Sequence, residues 1–165
     1  MNIMLNKNDE IVMRLLHYFI TEMEYNPIVL HGAKDEIWLE NSNNDYDIVR
    51  IVTNYIHNDE QLDADLFRTK QIVKKIKRKT FSFKMNMLSI FVNLGDSVNI
   101  GEVIDNNIDC IELKEWNDLN KYEFVLESFP NILEIEDYEE NGLELFVKLT
   151  EDINDKNREE AIKAE

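Results

Sequence analysis

A chain of 165 residues with 44% hydrophobic and 10% aromatic content holds enough apolar material for the core of one domain, which excludes wholesale disorder. Only 4 glycines and 2 prolines occur, too few for a barrel or sandwich built on tight turns. A net charge of -16, from 34 acids against 18 bases, repels phosphate backbones, so no nucleic-acid partner is expected.

The charge is unevenly placed. Residues 68 to 84 carry Arg68, Lys70, Lys74, Lys75, Lys77, Arg78, Lys79 and Lys84 and no acid, whereas residues 134 to 165 carry a local charge of -8. The one cysteine, Cys110, cannot close an internal disulfide and fits a reducing compartment. Residues 1 to 10 lack the apolar core of a signal peptide, and no run approaches the ~20 apolar residues that span a bilayer. The expectation is therefore a soluble chain.

In chain order, residues 8 to 24 predict an amphipathic helix, with Ile11, Val12, Leu15, Leu16, Phe19, Ile20 and Met23 at spacings of three and four. Asn8 or Asp9 can cap it, and Asn26-Pro27 ends it. Short β-prone runs follow at 28 to 32, 36 to 40 and 46 to 53, joined by turns, and predict a three-stranded meander. Residues 59 to 79 predict a long helix on Leu62, Leu66, Val73 and Ile76, with acids at its start and bases at its end to suit the helix dipole. The apolar run 85 to 93 predicts a fourth strand covered on both faces, set parallel by the helical crossover. Beyond it, the pattern gives a strand near Cys110 to Leu113, a short helix at 117 to 128 stopped by Pro130, an edge strand at 132 to 135, and helix from Leu143 that frays toward Lys163.

The fold class is thus α/β with α+β character. It has a mixed sheet of about four to five strands with flanking helices, in the order α-β-β-β-α-β, loosely like a restriction-endonuclease-like core. Residues 1 to 150 form the expected domain and 151 to 165 a charged tail.

Candidate chemistry is sparse. No G-x-S-x-G is present, and Cys110 beside Ile111 and Leu113 reads as a buried small hydrophobe. His17, His31 and His57 lie at no metal-ligand spacing. A nuclease of the restriction-endonuclease class needs an Asp and an E-x-K pair on adjacent strands. Here Glu36, Glu40, Asp47 and Arg50 occupy those strands at the wrong spacing and are expected to face solvent. Asp45, Asp47, Asp59 and Glu60 flank the third strand and the second helix, and form a candidate site for Mg²⁺ or Mn²⁺ if those ends meet. The basic stretch 70 to 84 has three readings: a contact with anionic lipid headgroups, the solvated end of a helix, or a partner of the acidic tail. No wide apolar stripe accompanies it, which disfavours an interfacial helix.

The order helix, strand, Asp35-Glu36-Ile37-Trp38-Leu39-Glu40, polar turn, Asp47-Ile48-Val49-Arg50 resembles the N-terminal cytosolic domain of rhomboid intramembrane serine proteases of Gram-positive bacteria. The charged helix 59 to 79, the strand Met85 to Val92 and the short helix ending in Phe129-Pro130 extend the similarity over roughly residues 8 to 130. The resemblance implies a non-catalytic regulatory or sensing domain on the cytoplasmic side of the membrane. Its partners would be its own membrane protease core and a cytosolic or membrane protein. The family's Ser–His dyad and G-x-S-G motif match no position in this sequence. Two alternatives stand beside it: a stand-alone acidic interaction domain, and a degenerate metal-dependent nuclease-like fold.

Overall fold

The computed structural model describes residues 7–28, 36–80, 86–100 and 108–135, together with Glu144, Lys148 and Glu151. Helix α1 (Lys7–Leu16) runs directly into a π-helical turn (His17–Glu22). Because α1 already includes Lys7, Asn8 and Asp9 lie in its first turn rather than at its cap. The widened turn is closed by Met23 N–H donating to Tyr18 O and Tyr25 N–H to Phe19 O. Glu24 then takes a left-handed backbone conformation, φ 59°, and turns the chain into the sheet.

Strands β1 (Asn26–Ile28), β2 (Glu36–Glu40) and β3 (Ile48–Val52) form an antiparallel meander as expected, but β1 begins two residues earlier than predicted, with Asn26 and Pro27 already paired to Glu40 and Leu39. Residues 29 to 32 of the first predicted strand fall outside the described residues. Helix α2 (Asp59–Thr80) carries the chain back so that β4 (Met87–Phe91) lies parallel to β3, and β5 (Ile108–Glu112) lies parallel to β4. The result is a mixed five-stranded sheet in the order β1-β2-β3-β4-β5. Asn58 starts α2: its Oδ1 accepts from Gln61 N–H at 2.9 Å, while the Gln61 carboxamide accepts from His57 N–H at 2.8 Å. Two donors that the helix cannot use are thereby satisfied.

The C-terminal part departs from expectation. The helix predicted at 117 to 128 is two pieces, a 3-10 helix (Trp116–Lys121) and helix α3 (Glu123–Ser128). The edge strand predicted at 132 to 135 is a 3-10 turn (Ile132–Glu134), because the chain satisfies itself locally: Glu134 N–H donates to Asn131 O. Ile132 faces inward from this turn without joining the sheet. Of the helix expected from Leu143, only Glu144, Lys148 and Glu151 are described; they are helical and exposed.

Alternation along the strands divides the core in two. Ile37 and Leu39, Val49 and Ile51, Leu88 and Ile90, and Ile111 face α1, the π-helical turn and the C-terminal helices. Trp38, Ile48, Val52, Met87, Phe91 and Ile108 face α2, where Leu62, Leu66 and Val73 close over them. β3 and β4 are buried at every position, as the apolar run in β4 implies. Each fully buried Leu, Ile or Phe contributes about 1.5–3 kcal/mol relative to exposure.

Aromatic packing fixes the α1 side. Phe129 is fully buried, meets Phe19 edge-on at 5.0 Å and stacks on Tyr46 at 6.0 Å. Tyr25 donates to Tyr46 O at 2.6 Å, and Tyr46 donates to the Asp109 carboxylate at 2.6 Å. We expect Phe129→Ala to cost about 3–5 kcal/mol by urea unfolding, because it removes a fully buried ring packed on Tyr18, Phe19, Tyr25 and Tyr46 and leaves a cavity among them. Burial, reinforced by Glu22, pushes the Tyr18 phenol up to about 12. Burial raises Tyr25 too, with Asp47 adding to it, and raises Tyr46, where the bond to Asp109 also favours the neutral phenol. In the unfolded chain these phenols ionise near pH 10, in the folded chain only above it, so their contribution is intact below about pH 10 and lost as pH rises further. Thermal melts should show a falling Tm above about pH 10, with these phenolates appearing only on unfolding.

Candidate functional site

Strand β3 places Arg50 in the middle of the sheet, paired across to Trp38 of β2 and Ser89 of β4. Its side chain is 0% exposed and lies on the α2 face. A guanidinium cannot shed its charge, so its lost hydration has to be replaced by hydrogen bonds and counter-charge. The replacement is nearly complete. Nε donates to Ser89 Oγ at 3.0 Å, Nη1 to Glu36 Oε2 at 3.0 Å and to Asp65 Oδ1 at 3.1 Å, and Nη2 to Asp65 Oδ2 at 2.8 Å. The guanidinium also lies over the rings of Phe91 (5.4 Å) and Trp38 (5.9 Å), where the π faces favour a cation.

Glu36, 1% exposed at the start of β2, is saturated in turn. Its oxygens accept from Trp38 Nε1 (3.1 Å), from Arg50, and from Arg68 in a bidentate fork (3.0 Å and 3.0 Å). Asp65 and Arg68 stand one helical turn apart on α2 and are joined at 3.1 Å. Hydrogen bonding to Glu36, against some loss from burial, strengthens Arg68's hold on its proton. Two acids and two bases thus form a neutral cluster that ties the β2–β3 pair to α2. Arg68 is its open end, with a side chain 43% exposed.

This corrects the expectation that Glu36, Glu40, Asp47 and Arg50 face solvent. Glu40 is exposed and Asp47 is half-buried, but Glu36 and Arg50 are interior. A signal for it exists in the sequence: Arg50 is embedded between Ile48, Val49, Ile51 and Val52, so both faces of the strand are apolar and its middle residue must be inside. Trp38 is core, 1% exposed; Cys110 is half-buried at the margin of the α2-face core rather than buried as expected.

The candidate cation ligands do not converge. Asp47 lies just before β3 and accepts from Asn86 N–H at 3.0 Å, and the neighbouring Asp45 is exposed. Asp59 and the exposed Glu60 begin α2 beyond the other end of β3, where Asp59 accepts from Asn99 N–H at 3.1 Å. The five residues of β3 separate the pairs by about 16 Å, too far for one ion. Among the described residues no group of three or more His, Cys, Asp or Glu is arranged to hold a metal.

A second feature lies on the α1 side. A cleft of about 260 Å³ is lined by Tyr18, Glu22, Met23, Asn131, Glu134 and Ile135. The Tyr18 hydroxyl and His17 Nδ1, both on the π-helical turn, are buried and have no hydrogen-bond partner among the described residues. No periodicity in the sequence distinguishes this turn from ordinary helix.

No protein-family model and no curated protein matches this chain. No helix among the described residues is long and apolar enough to cross a membrane.

The cluster sets its own test. Arg50→Met leaves the carboxylates of Glu36 and Asp65 with Arg68 as their one remaining base, an uncompensated negative charge in the interior, and should cost about 3–5 kcal/mol in urea unfolding. Arg68→Met opens a half-exposed position to water and should cost about 1 kcal/mol or less. Equal losses for the two variants would contradict the buried position of Arg50.

Proposed function

We propose that this chain is a non-catalytic regulatory and docking domain of a rhomboid-family intramembrane serine protease, working on the cytoplasmic side of the membrane. The observation that supports the non-catalytic reading is the state of the sheet's interior carboxylates. A metal-dependent hydrolase keeps carboxylate oxygens open toward its ion. Here the oxygens of Glu36 and Asp65 are closed by charge-assisted bonds from Arg50 and Arg68. A cluster closed in this way can hold two elements in register; it has no free base or nucleophile to offer a substrate.

The family assignment rests on the resemblance, and the cluster gives its two sharpest segments a common physical role. Asp35 to Glu40 supplies Glu36 and Trp38, and Asp47 to Arg50 supplies Arg50. The partner role follows from this division of labour. The protease chemistry belongs to a membrane core outside this sequence, and the domain acts on it, or on a protein brought to it, through its surface.

Two results test this reading. The reading frame beyond Glu165 should continue into apolar runs of about 20 residues bearing G-x-S-G, and a stop codon directly after Glu165 would overturn it. In membranes holding the whole protease, deletion of residues 1 to 135 should change the cleavage rate of a transmembrane substrate while the dyad stays reactive. An unchanged rate for all substrates would remove the regulatory role.

A further inference from the structure

Helix α2 has two different faces. Leu62, Leu66, Thr69 and Val73 are buried against the sheet. On the opposite side Phe67 is 67% exposed, and Gln71, Lys74 and Lys75 are exposed with it. Lys70 is exposed along the flank, and the helix continues through Lys77, Arg78 and Lys79 to Thr80. From Arg68 to Lys84 the chain contains eight bases and no acid.

Such a run is unexpected in a protein of net charge -16, and a solvated helix end does not require it. It also joins charge to an aromatic ring that the core does not use. We infer that the outward face of α2 docks on an anionic phospholipid bilayer, with Phe67 entering the headgroup layer and the exposed Lys70, Lys74 and Lys75 pairing with lipid phosphate and carboxylate groups. This inference does not depend on the family resemblance.

Charge complementarity selects the occupant. A neutral or basic partner gains nothing from a continuous base run, and a bilayer offers anionic charge as a plane that the basic half of the helix can lie along. The helix has 22 residues and is about 33 Å long, and its basic half makes up the C-terminal part of that length. At physiological salt, charges more than about 8 Å away are screened, so a bilayer meeting the part of this face beyond Phe67 responds to the bases there more than to Glu60 and Asp63 in the first turns of the helix. The helix need not immerse an apolar stripe. Ile72 and Ile76 already pack toward the core, and the single exposed aromatic gives a shallow, reversible contact. Each base near an anionic surface strengthens binding roughly fivefold.

The test is vesicle sedimentation of the full 165-residue chain. Vesicles of phosphatidylcholine mixed with phosphatidylserine should carry the protein down at about 0.1 M salt and release it at about 0.5 M. Pure phosphatidylcholine vesicles should not carry it down. Replacing Lys70, Lys74 and Lys75 together by Gln should weaken the partition roughly a hundredfold, while replacing them by Arg should preserve it. Phe67→Ser should weaken it several-fold. These positions are exposed, so unchanged circular dichroism would confirm that the variants fold. Absence of sedimentation with the anionic vesicles, equal binding to the neutral ones, or full binding by the Gln variant would each overturn the inference.

Discussion

A guanidinium held in the middle of a sheet, away from water, is the constraint on which this structure turns. Arg50 can stay there only if its protons find oxygens and its charge finds counter-charge. Ser89 comes from the next strand, Glu36 from the previous one and Asp65 from the helix above. Each of these contacts fixes a relationship that the hydrophobic core alone leaves loose. Ile, Leu and Val can slide over one another at small cost, whereas a bidentate ion pair has one geometry. The strand register and the seating of α2 are therefore specified by the same four side chains. Their worth lies in that specification rather than in net stability, since a buried ion pair seldom outperforms a well-packed apolar substitute.

The same constraint bears on function. Of the candidate acids on this sheet and α2, Glu40, Asp45 and Glu60 stand exposed, and four others are engaged. Glu36 and Asp65 are consumed by arginines. Asp47 and Asp59 accept from the backbone of Asn86 and Asn99, each tying a connection next to β4 to the chain beside β3. What remains available to other molecules is surface: the outward face of α2, and the cleft beside the π-helical turn.

Much of the fold was legible in the sequence, and the residues show why. β2, β3 and β4 are dense in β-branched and large apolar residues, and α2 repeats its apolar positions over a long span, so periodicity alone places them. The parallel setting of β4 follows from the helical crossover. Legibility fails where the chain makes local bargains. The turn at Ile132 is apolar enough to read as a strand, but hydrogen bonds to residues three positions back satisfy it first. The π-helical turn at His17–Glu22 keeps the residue pattern of a helix and differs only in its hydrogen bonds. The central cluster was missed because charged residues are by default assigned to solvent. Asp65 and Arg68, beside the buried stripe of α2, gained meaning only once Arg50 was placed beneath them.

The most direct measurement is a double-mutant cycle between strand and helix: Arg50→Met, Asp65→Asn and the double variant, each unfolded in urea. If Arg50 binds the sheet to α2 through Asp65, the two changes will be non-additive, with a coupling of about 1–3 kcal/mol. Additive losses, with a coupling below about 0.5 kcal/mol, would show that the helix is seated by its apolar face alone and would contradict the account.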